Sequence, residues 1–325
     1  MTKEPSKALL ESLLSTILSE SHPRSPHSFS PQERWRKEIK RVLENVIGAQ
    51  RVLPTGSWSH GTAISGFSDV DHFVIFDAEL LSKPTNLLER ILQQLSMHLS
   101  RDVQIFLSAP TVSIEDPFDK TLLEYVPAHP STGGDYWIHI GDSNHRILSN
   151  PVAHIAYLDR AHAAAVQVRD LVRLIKTWKY ANDSLLSSLY LELLVVRYCL
   201  DSPADNYLNQ VVDILGMLKR SRLRAINDPS LAAYRLIHAF PPDAANTEAE
   251  MKIVSDALDL ALRLEAAVAS SADDEILRMT SKLFDTTGAE QRRMRKRALR
   301  ARQLAAENKL KRGRRQWSST GRTKK

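Results

Sequence analysis

The sequence contains a single cysteine, Cys199, among its 325 residues. One cysteine cannot form an intrachain disulfide or a zinc site built from several cysteines, which is typical of a reducing compartment. The chain also lacks a long uninterrupted apolar run. Glu11 and Glu20 interrupt the first apolar segment, unlike a secretory signal, and Glu192 and Arg197 interrupt the most apolar later one. We therefore expect a cytoplasmic protein without a membrane segment.

The charge of the protein is unevenly distributed. The total is +6, but residues 288–325 contain fifteen Lys and Arg against two Glu, a net of +13, which leaves −7 for the rest of the chain. An acidic body argues against a domain built wholly around a basic groove. The basic tail is predicted to be helical to about residue 310 and disordered beyond it. It could bind nucleic acid or an acidic partner, or it could simply be solvated.

The first half of the chain has the pattern of a mixed α/β domain. Ser30, Pro31 and Glu33 have the spacing of a helix cap, and they predict a helix over residues 31–48. A second helix is predicted over residues 84–99. The predicted strands are Arg51–Leu53, Val70–Phe76, Val103–Leu107, Thr111–Ile114, Leu122–Val126 and Trp137–Ile140.

The second half has a helical period from about residue 156, and no strand is predicted there. Asn150-Pro151 is the predicted break between the halves. The expected fold class is α+β, with N-terminal helices and an α/β domain over 1–155, a helical domain over 156–287 and a basic tail over 288–325. The predicted helices of the second half are 157–182, 186–200, 204–223, 229–239 and 247–270.

The residues with the strongest chemical signal lie at the start of the strand predicted over Val70–Phe76. Because side chains alternate along a strand, Asp69 and Asp71 are expected to project from the same face. Two neighbouring carboxylates repel each other unless a cation compensates them, and Mg²⁺ bound with substrate phosphates meets this need. The pair therefore indicates a metal-nucleotide site.

Residues upstream of the aspartates are suited to bind the phosphates of that nucleotide. Gly56 permits close approach of the backbone, and Ser57 offers a hydroxyl and an amide to phosphate oxygens. Gly61-Thr62 could begin a short helix whose N-terminus favours the same anion.

Other polar residues support weaker hypotheses. The histidines match no compact zinc pattern and are interpreted as ordinary polar residues. Cys199 is interpreted as a small buried hydrophobe. Trp178 and Tyr180 are interpreted as core aromatics, with stacking on a base as the alternative. The histidines considered are His129, His139, His145 and His154.

A Gly-Ser pair followed by Asp-x-Asp resembles the signature of the polymerase-β-like nucleotidyltransferases. More specifically, LPTGSWSHGTAISGFSDVD resembles the bacterial cyclic-oligonucleotide synthases, or CD-NTases, which are related to cyclic GMP-AMP synthase and oligoadenylate synthase. The resemblance covers about residues 30–270. It implies a polymerase-β-like mixed sheet with flanking helices and a C-terminal helical domain that closes the nucleotide cleft.

The resemblance also assigns roles to residues outside that segment. In LLEYVPAHP it implies a third metal-binding carboxylate, Glu124, where the family usually has aspartate. In LVRLIKTWKYANDSLLSSLYLELL it implies that Lys176 and Ser188 contact the triphosphate. Lys179 is expected to face solvent, with a second phosphate contact as the alternative. Asp102, Asp116 and Asp119 are weaker alternatives to Glu124, because none has the surrounding match.

The resemblance implies a Mg²⁺-dependent enzyme, with Mn²⁺ as an alternative metal, that makes a cyclic di- or trinucleotide in antiphage signalling. Its substrates would be ribonucleoside triphosphates, namely ATP, GTP or both, with pyrimidines left open. Two alternatives remain. The basic tail would suit a template-independent terminal RNA nucleotidyltransferase, and the glutamate at position 124 would suit a nucleotide-binding protein that has lost activity.

Overall fold

The chain forms two compact units, and each contains segments that are distant in the sequence. The helical unit contains the described residues of Met1–Ser25, Ser57–Ser68 and Asn150–Glu290, and the sheet unit those of Pro26–Gly56 and Asp69–Ser149. The boundaries of these two units differ from the single division predicted at residue 155. The computed structural model describes residues 5–23, 30–80, 84–100, 102–108, 110–139, 146–164, 167–201, 205–229, 235–240 and 247–289.

The sheet unit is built on a mixed sheet. Its main path has the order β1-β2-β5-β4-β3, in which β2 and β5 are parallel and the other pairs are antiparallel. β6 pairs with the last residues of β5, and β7 pairs with β6. The strands are β1 (Arg51–Thr55), β2 (Val70–Ile75), β3 (Ile105–Ser108), β4 (Thr111–Glu115), β5 (Leu122–Pro130), β6 (Tyr136–His139) and β7 (Arg146–Ser149).

Two helices contribute apolar residues to the core of this unit. α4 (Pro84–His98) contacts β3, β4 and β5, and it buries Leu87, Ile91 and Leu95 at the four-residue spacing of one helix face. α2 (Pro31–Arg41) begins as predicted, because the Ser30 side chain accepts a hydrogen bond from the Glu33 amide. A π-helical turn over Val42–Val46 continues α2.

The helical unit has one large apolar core, in which Trp178 and Tyr190 are fully buried. The position of Trp178 confirms its interpretation as a core aromatic. The helices are α1 (Pro5–Ser21), α3 (Gly56–His60), α5 (Pro151–Ala164), α6 (Val168–Ala181), α7 (Ser188–Asp201), α8 (Tyr207–Ser221), α9 (Thr247–Ala269) and α10 (Asp273–Phe284).

A helix that was predicted to begin near residue 157 begins at the predicted break instead, where the Asn150 side chain accepts a hydrogen bond from the Ala153 amide. The single helix predicted over 157–182 is wrong, because α5 ends at Ala164 and α6 begins at Val168. The prediction also missed α3, α10 and β7. The basic tail beyond residue 289 lies outside the described residues.

The helix predicted over 229–239 is also wrong in its described part. Here β8 (Ile226–Asn227) pairs antiparallel with β9 (Leu236–Ile237), and the Asp228 amide donates to the Arg235 carbonyl. Ile237 is buried in the helical core whereas Leu236 is exposed, which is the alternation of a strand. Strands therefore return in the second half of the chain, contrary to the prediction.

Among the described residues, no helix combines the length and apolarity that a membrane crossing requires.

Candidate active site

The predicted carboxylates lie at the start of the two parallel strands. Asp69 immediately precedes β2, Asp71 is its second residue, and both are half-buried. The parallel register of β2 and β5 makes Glu124 the direct partner of Asp71. Glu124 is also half-buried, and it accepts a long hydrogen bond of 3.5 Å from the Ser113 hydroxyl on β4. Register thus places a glutamate beside the second aspartate of the Asp-x-Asp pair.

Gly56 provides the space that the Asp71 carboxylate occupies. Its φ of +68° lies in the left-handed region, and a Cβ on Gly56 would lie 2.0 Å from Asp71 Oδ2. Any other residue here would combine backbone strain with a collision against the carboxylate. The close approach of backbone predicted at Gly56 is therefore an approach to Asp71.

The short helix of this segment begins earlier than predicted. α3 starts at Gly56 and ends at His60, so Gly61-Thr62 follows a helix instead of beginning one. Ser57 is the second residue of α3, and its carbonyl accepts a hydrogen bond of 2.9 Å from the Thr62 amide. The two ends of the segment from Ser57 to Thr62 are thus joined directly.

The chemistry of these side chains fits a magnesium ion. Carboxylate oxygens are the protein ligands that Mg²⁺ prefers, and Mg²⁺ commonly uses one or two of them together with substrate phosphates. Asp71 and Glu124, adjacent on parallel strands, provide such a pair. Within the described residues, no group of three or more His, Cys, Asp or Glu is arranged so that it could hold a metal ion. The three-carboxylate site with Asp69 therefore stays a prediction.

Lys176 has contacts other than the one predicted for it. Its side chain is only 2% exposed, and its ammonium donates to Glu192 Oε2 at 2.7 Å. The ammonium also donates to the hydroxyl and carbonyl of Thr62, at 2.9 and 3.3 Å. These contacts use the three donors of a lysine, so the geometry argues against a contact with the triphosphate. The sequence signal that was overlooked is Glu192, a lone carboxylate in an apolar helix that requires a buried cation.

Lys179 lies beside Ser188 instead. The Lys179 ammonium donates to the Ser188 hydroxyl at 2.9 Å and lies 4.7 Å from the centroid of the Tyr180 ring. Both residues are half-buried at facing positions of α6 and α7. Lys179 is therefore not the fully solvent-facing residue that was expected. A cation and a hydroxyl in direct contact suit phosphate oxygens, so Lys179 is the better candidate for a phosphate contact.

The remaining residues considered from the sequence support no separate site. His154 is buried against Asp228, at 3.1 Å, and His129 and His139 lie against each other with ring centroids 5.4 Å apart. His145 lies outside the described residues. Burial raises the pKa of the Cys199 thiol to about 11, which agrees with the interpretation of this residue as a buried hydrophobe.

The alternatives to Glu124 have other partners or positions. Asp116 is fully buried and forms an ion pair with Arg36 at 2.8 Å. Asp119 accepts a hydrogen bond of 2.7 Å from Gln32, and Asp102 is exposed in the turn before β3. None of the three is a register partner of Asp71.

His72 couples the stability of this sheet to pH. Its ring stacks on Tyr125 with centroids 4.9 Å apart. Burial lowers the pKa of His72 to about 4, and the positive charges of Arg36 and Lys40 act in the same direction. Between pH 6.5 and 4 the unfolded chain therefore binds a proton here that the folded chain does not, so stability decreases as the pH decreases through this range.

We expect the wild-type protein to lose about 2 kcal/mol more unfolding free energy than His72→Phe between pH 7 and pH 4.5. Phenylalanine keeps a ring against Tyr125 but does not titrate. Urea unfolding at the two pH values measures the difference. An equal loss in both proteins would show that another group is responsible.

Comparisons with known proteins agree with this architecture at the level of the fold. No protein-family model matches the sequence, and no curated protein matches it. CdnC of Escherichia coli MS115-1, in its complex with HORMA-deltaN, is 18% identical with a TM-score of 0.62, and the match covers 85% of this chain and 96% of CdnC. CdnC with ATP is 17% identical with the same TM-score, and the match covers 84% of this chain and 96% of that chain.

A second similar structure is described as a cyclic dinucleotide synthase. The Vibrio cholerae DncV cyclic AMP-GMP synthase, in complex with the linear intermediate 5′ pppA(3′,5′)pG, is 16% identical with a TM-score of 0.61. This match covers 89% of the present chain and 83% of DncV. Together with the α+β architecture and its mixed sheet, these similarities show that the chain has the fold of the bacterial CD-NTases.

Proposed function

We propose that this protein is a Mg²⁺-dependent nucleotidyltransferase that makes a cyclic di- or trinucleotide from ribonucleoside triphosphates, as a second messenger in antiphage signalling. The observation that carries the proposal is the pairing of Asp71 with Glu124 on parallel strands, with Gly56 leaving space for the Asp71 carboxylate. The fold supports it, because DncV is a cyclic AMP-GMP synthase and CdnC has been solved with ATP.

The reaction joins a sugar hydroxyl oxygen to the α-phosphorus of a triphosphate and breaks the bond from that phosphorus to the oxygen that leaves with pyrophosphate. The hydroxyl proton is released. Magnesium, when bound, would lower the pKa of the attacking hydroxyl and neutralise charge on the phosphates. Asp71, Glu124 and Asp69 would hold the metal, with Mn²⁺ as an alternative.

Three residues are candidate phosphate contacts. Ser57 offers a hydroxyl, and Lys179 and Ser188 offer an ammonium and a hydroxyl that already contact each other. A phosphate that enters this pair would replace the neutral hydroxyl acceptor of the Lys179 ammonium with an anionic oxygen, and hydrogen bonds between opposite charges are short and strong. These residues would orient the phosphates of the substrate, so that catalysis depends on position and electrostatics.

The product distinguishes this function from its alternatives. We expect purified protein, incubated with the four ribonucleoside triphosphates and Mg²⁺ or Mn²⁺, to form a small product that resists phosphatase and is identified by mass spectrometry. The control is Asp69→Ala/Asp71→Ala. Elongation of added RNA would instead indicate a terminal transferase. Triphosphate binding without any product would indicate a protein that has lost activity.

If no product forms, a partner protein should be added to the assay before the activity is judged lost. CdnC forms a complex with a HORMA protein. A HORMA protein should therefore be included in a second round of the same assay. Product that forms only with such a partner would support the proposed function and identify its activator.

A further inference from the structure

A buried cluster of polar side chains lies in the helical unit outside the proposed active-site residues. It consists of His60 and Thr62 from the segment after Ser57, Lys176 on α6 and Glu192 on α7, and all four are buried. Lys176 and Glu192 compensate each other's charge at 2.7 Å, and a buried charge without such a partner is strongly unfavourable. The cluster therefore constrains the position of every residue in it.

Glu192 is the acceptor at the centre of this cluster. The Thr62 hydroxyl donates to Glu192 Oε2 at 2.5 Å, Lys176 donates to the same oxygen, and His60 Nδ1 donates to Oε1. Burial alone would raise the pKa of Glu192, but the Lys176 charge and the His60 hydrogen bond more than offset it, so the pKa lies below its usual range. The side chain is thus a carboxylate that accepts from two residues of one segment.

That segment begins at Ser57. The Thr62 amide donates to the Ser57 carbonyl, so the residue that contacts Glu192 is also bonded to the backbone of the proposed phosphate contact. α3 has only five residues, and a helix of that length is not stable without tertiary contacts. His60, its last residue, contacts Glu192 through its ring, and its carbonyl accepts a hydrogen bond of 2.9 Å from Arg169. The conformation of α3 therefore depends on contacts at His60 and Thr62.

We infer that Glu192 is a positioning residue for triphosphate binding, because it holds His60 and Thr62 and thereby sets the position of Ser57. This inference rests on the proposed function and extends it to a residue that does not touch the substrate. The Lys176–Glu192 ion pair has a second role, which is to balance charge in the core. The experiment must separate these two roles.

Two double variants separate the positioning role from the charge-balancing role. Both remove the ion pair, and only one removes the side-chain acceptor at position 192. Glu192→Gln/Lys176→Met keeps a side-chain oxygen for the segment, whereas Glu192→Leu/Lys176→Met does not. We expect the leucine variant to bind Mg²⁺-ATP about tenfold more weakly than wild type, and the glutamine variant to remain within about threefold. Isothermal titration calorimetry measures both, and thermal unfolding shows that each variant folds.

Hydrogen exchange tests the same inference without reference to nucleotide. In the leucine variant we expect faster exchange at the Gly61 and Thr62 amides, with core amides of α9 unchanged, and near-normal exchange in the glutamine variant. Thr62→Val provides the test if the leucine variant does not fold, because it leaves the ion pair in place. Its matched control is Thr177→Val, a buried threonine of α6 that donates to the Arg173 carbonyl. Only Thr62→Val should weaken ATP binding.

The outcomes that overturn the inference are definite. Equal affinity and equal exchange in the glutamine and leucine variants would show that the cluster serves only to balance charge. Wild-type affinity in Thr62→Val would exclude a role of Thr62 in positioning. If wild-type protein bound no triphosphate at all, the proposed function would fail, while the exchange data would still decide whether Glu192 holds the segment.

Discussion

Asp71→Asn is expected to reduce nucleotidyl transfer by about a thousandfold or more, because it removes one carboxylate of the pair on β2 and β5. Asparagine has nearly the same shape, so Gly56 can still approach it and the register with Glu124 should persist. Triphosphate binding should decrease far less than turnover, since the candidate phosphate contacts lie on other residues. Product formation and ATP affinity, measured on the same preparation, test both parts.

A matched control for this substitution lies just beyond the other end of the same strand. Asp77 follows β2, is exposed, and accepts a hydrogen bond of 2.6 Å from Gln50. Asp77→Asn also removes one negative charge from the sheet unit, but we expect turnover to stay within about twofold of wild type because a surface charge contributes little. Equal losses in both variants would mean that charge, and not the position of Asp71, matters.

Gly56→Ala should reduce turnover by about a hundredfold. The new Cβ would lie 2.0 Å from Asp71 Oδ2, so the carboxylate has to move away, and displacement of a reacting group by about 1 Å can cost that much. The left-handed backbone adds a strain of roughly 1 kcal/mol to the folded state. Thermal unfolding and initial rates should therefore both change.

Gly48→Ala separates these two contributions. Gly48 has a φ of +88°, but nothing lies within 4 Å of the position that a Cβ would occupy. We expect Gly48→Ala to lose a similar amount of stability, roughly 1 kcal/mol, and to retain turnover. If the two alanine variants lost turnover equally, the contact between Gly56 and Asp71 would have no special importance for catalysis.

The parts of the candidate site that are local in sequence could be predicted from it. Gly56, Ser57, Asp69 and Asp71 lie within one short segment, and alternation along a strand predicts the arrangement of the aspartates. The pairing of Asp71 with Glu124 could not be predicted from local sequence, because residues more than fifty positions apart meet only through strand register. No periodicity reports register between distant strands, so this pairing depended on the resemblance.

The burial of Lys176 was not predicted because a lysine on a helix usually faces solvent. α6 is exceptional, since nearly every position from Leu171 to Trp178 is buried, and the cation is accepted there only because α7 provides Glu192. The strands β8 and β9 were not predicted because they are short. Two-residue strands leave too short a pattern to distinguish from the end of a helix.

The interleaving of the two units along the chain has a consequence for inheritance. The helical core needs Leu10 and Leu14 from the N-terminus, and Phe67 from the segment after Ser57 stacks on Tyr180 of α6. No single crossover between Leu10 and Phe284 can therefore exchange one unit intact, because every cut in this range divides the residues of the helical core. We expect the candidate metal-binding carboxylates and the helices to be inherited together, with new specificities arising by substitution within the whole and not by shuffling of its halves.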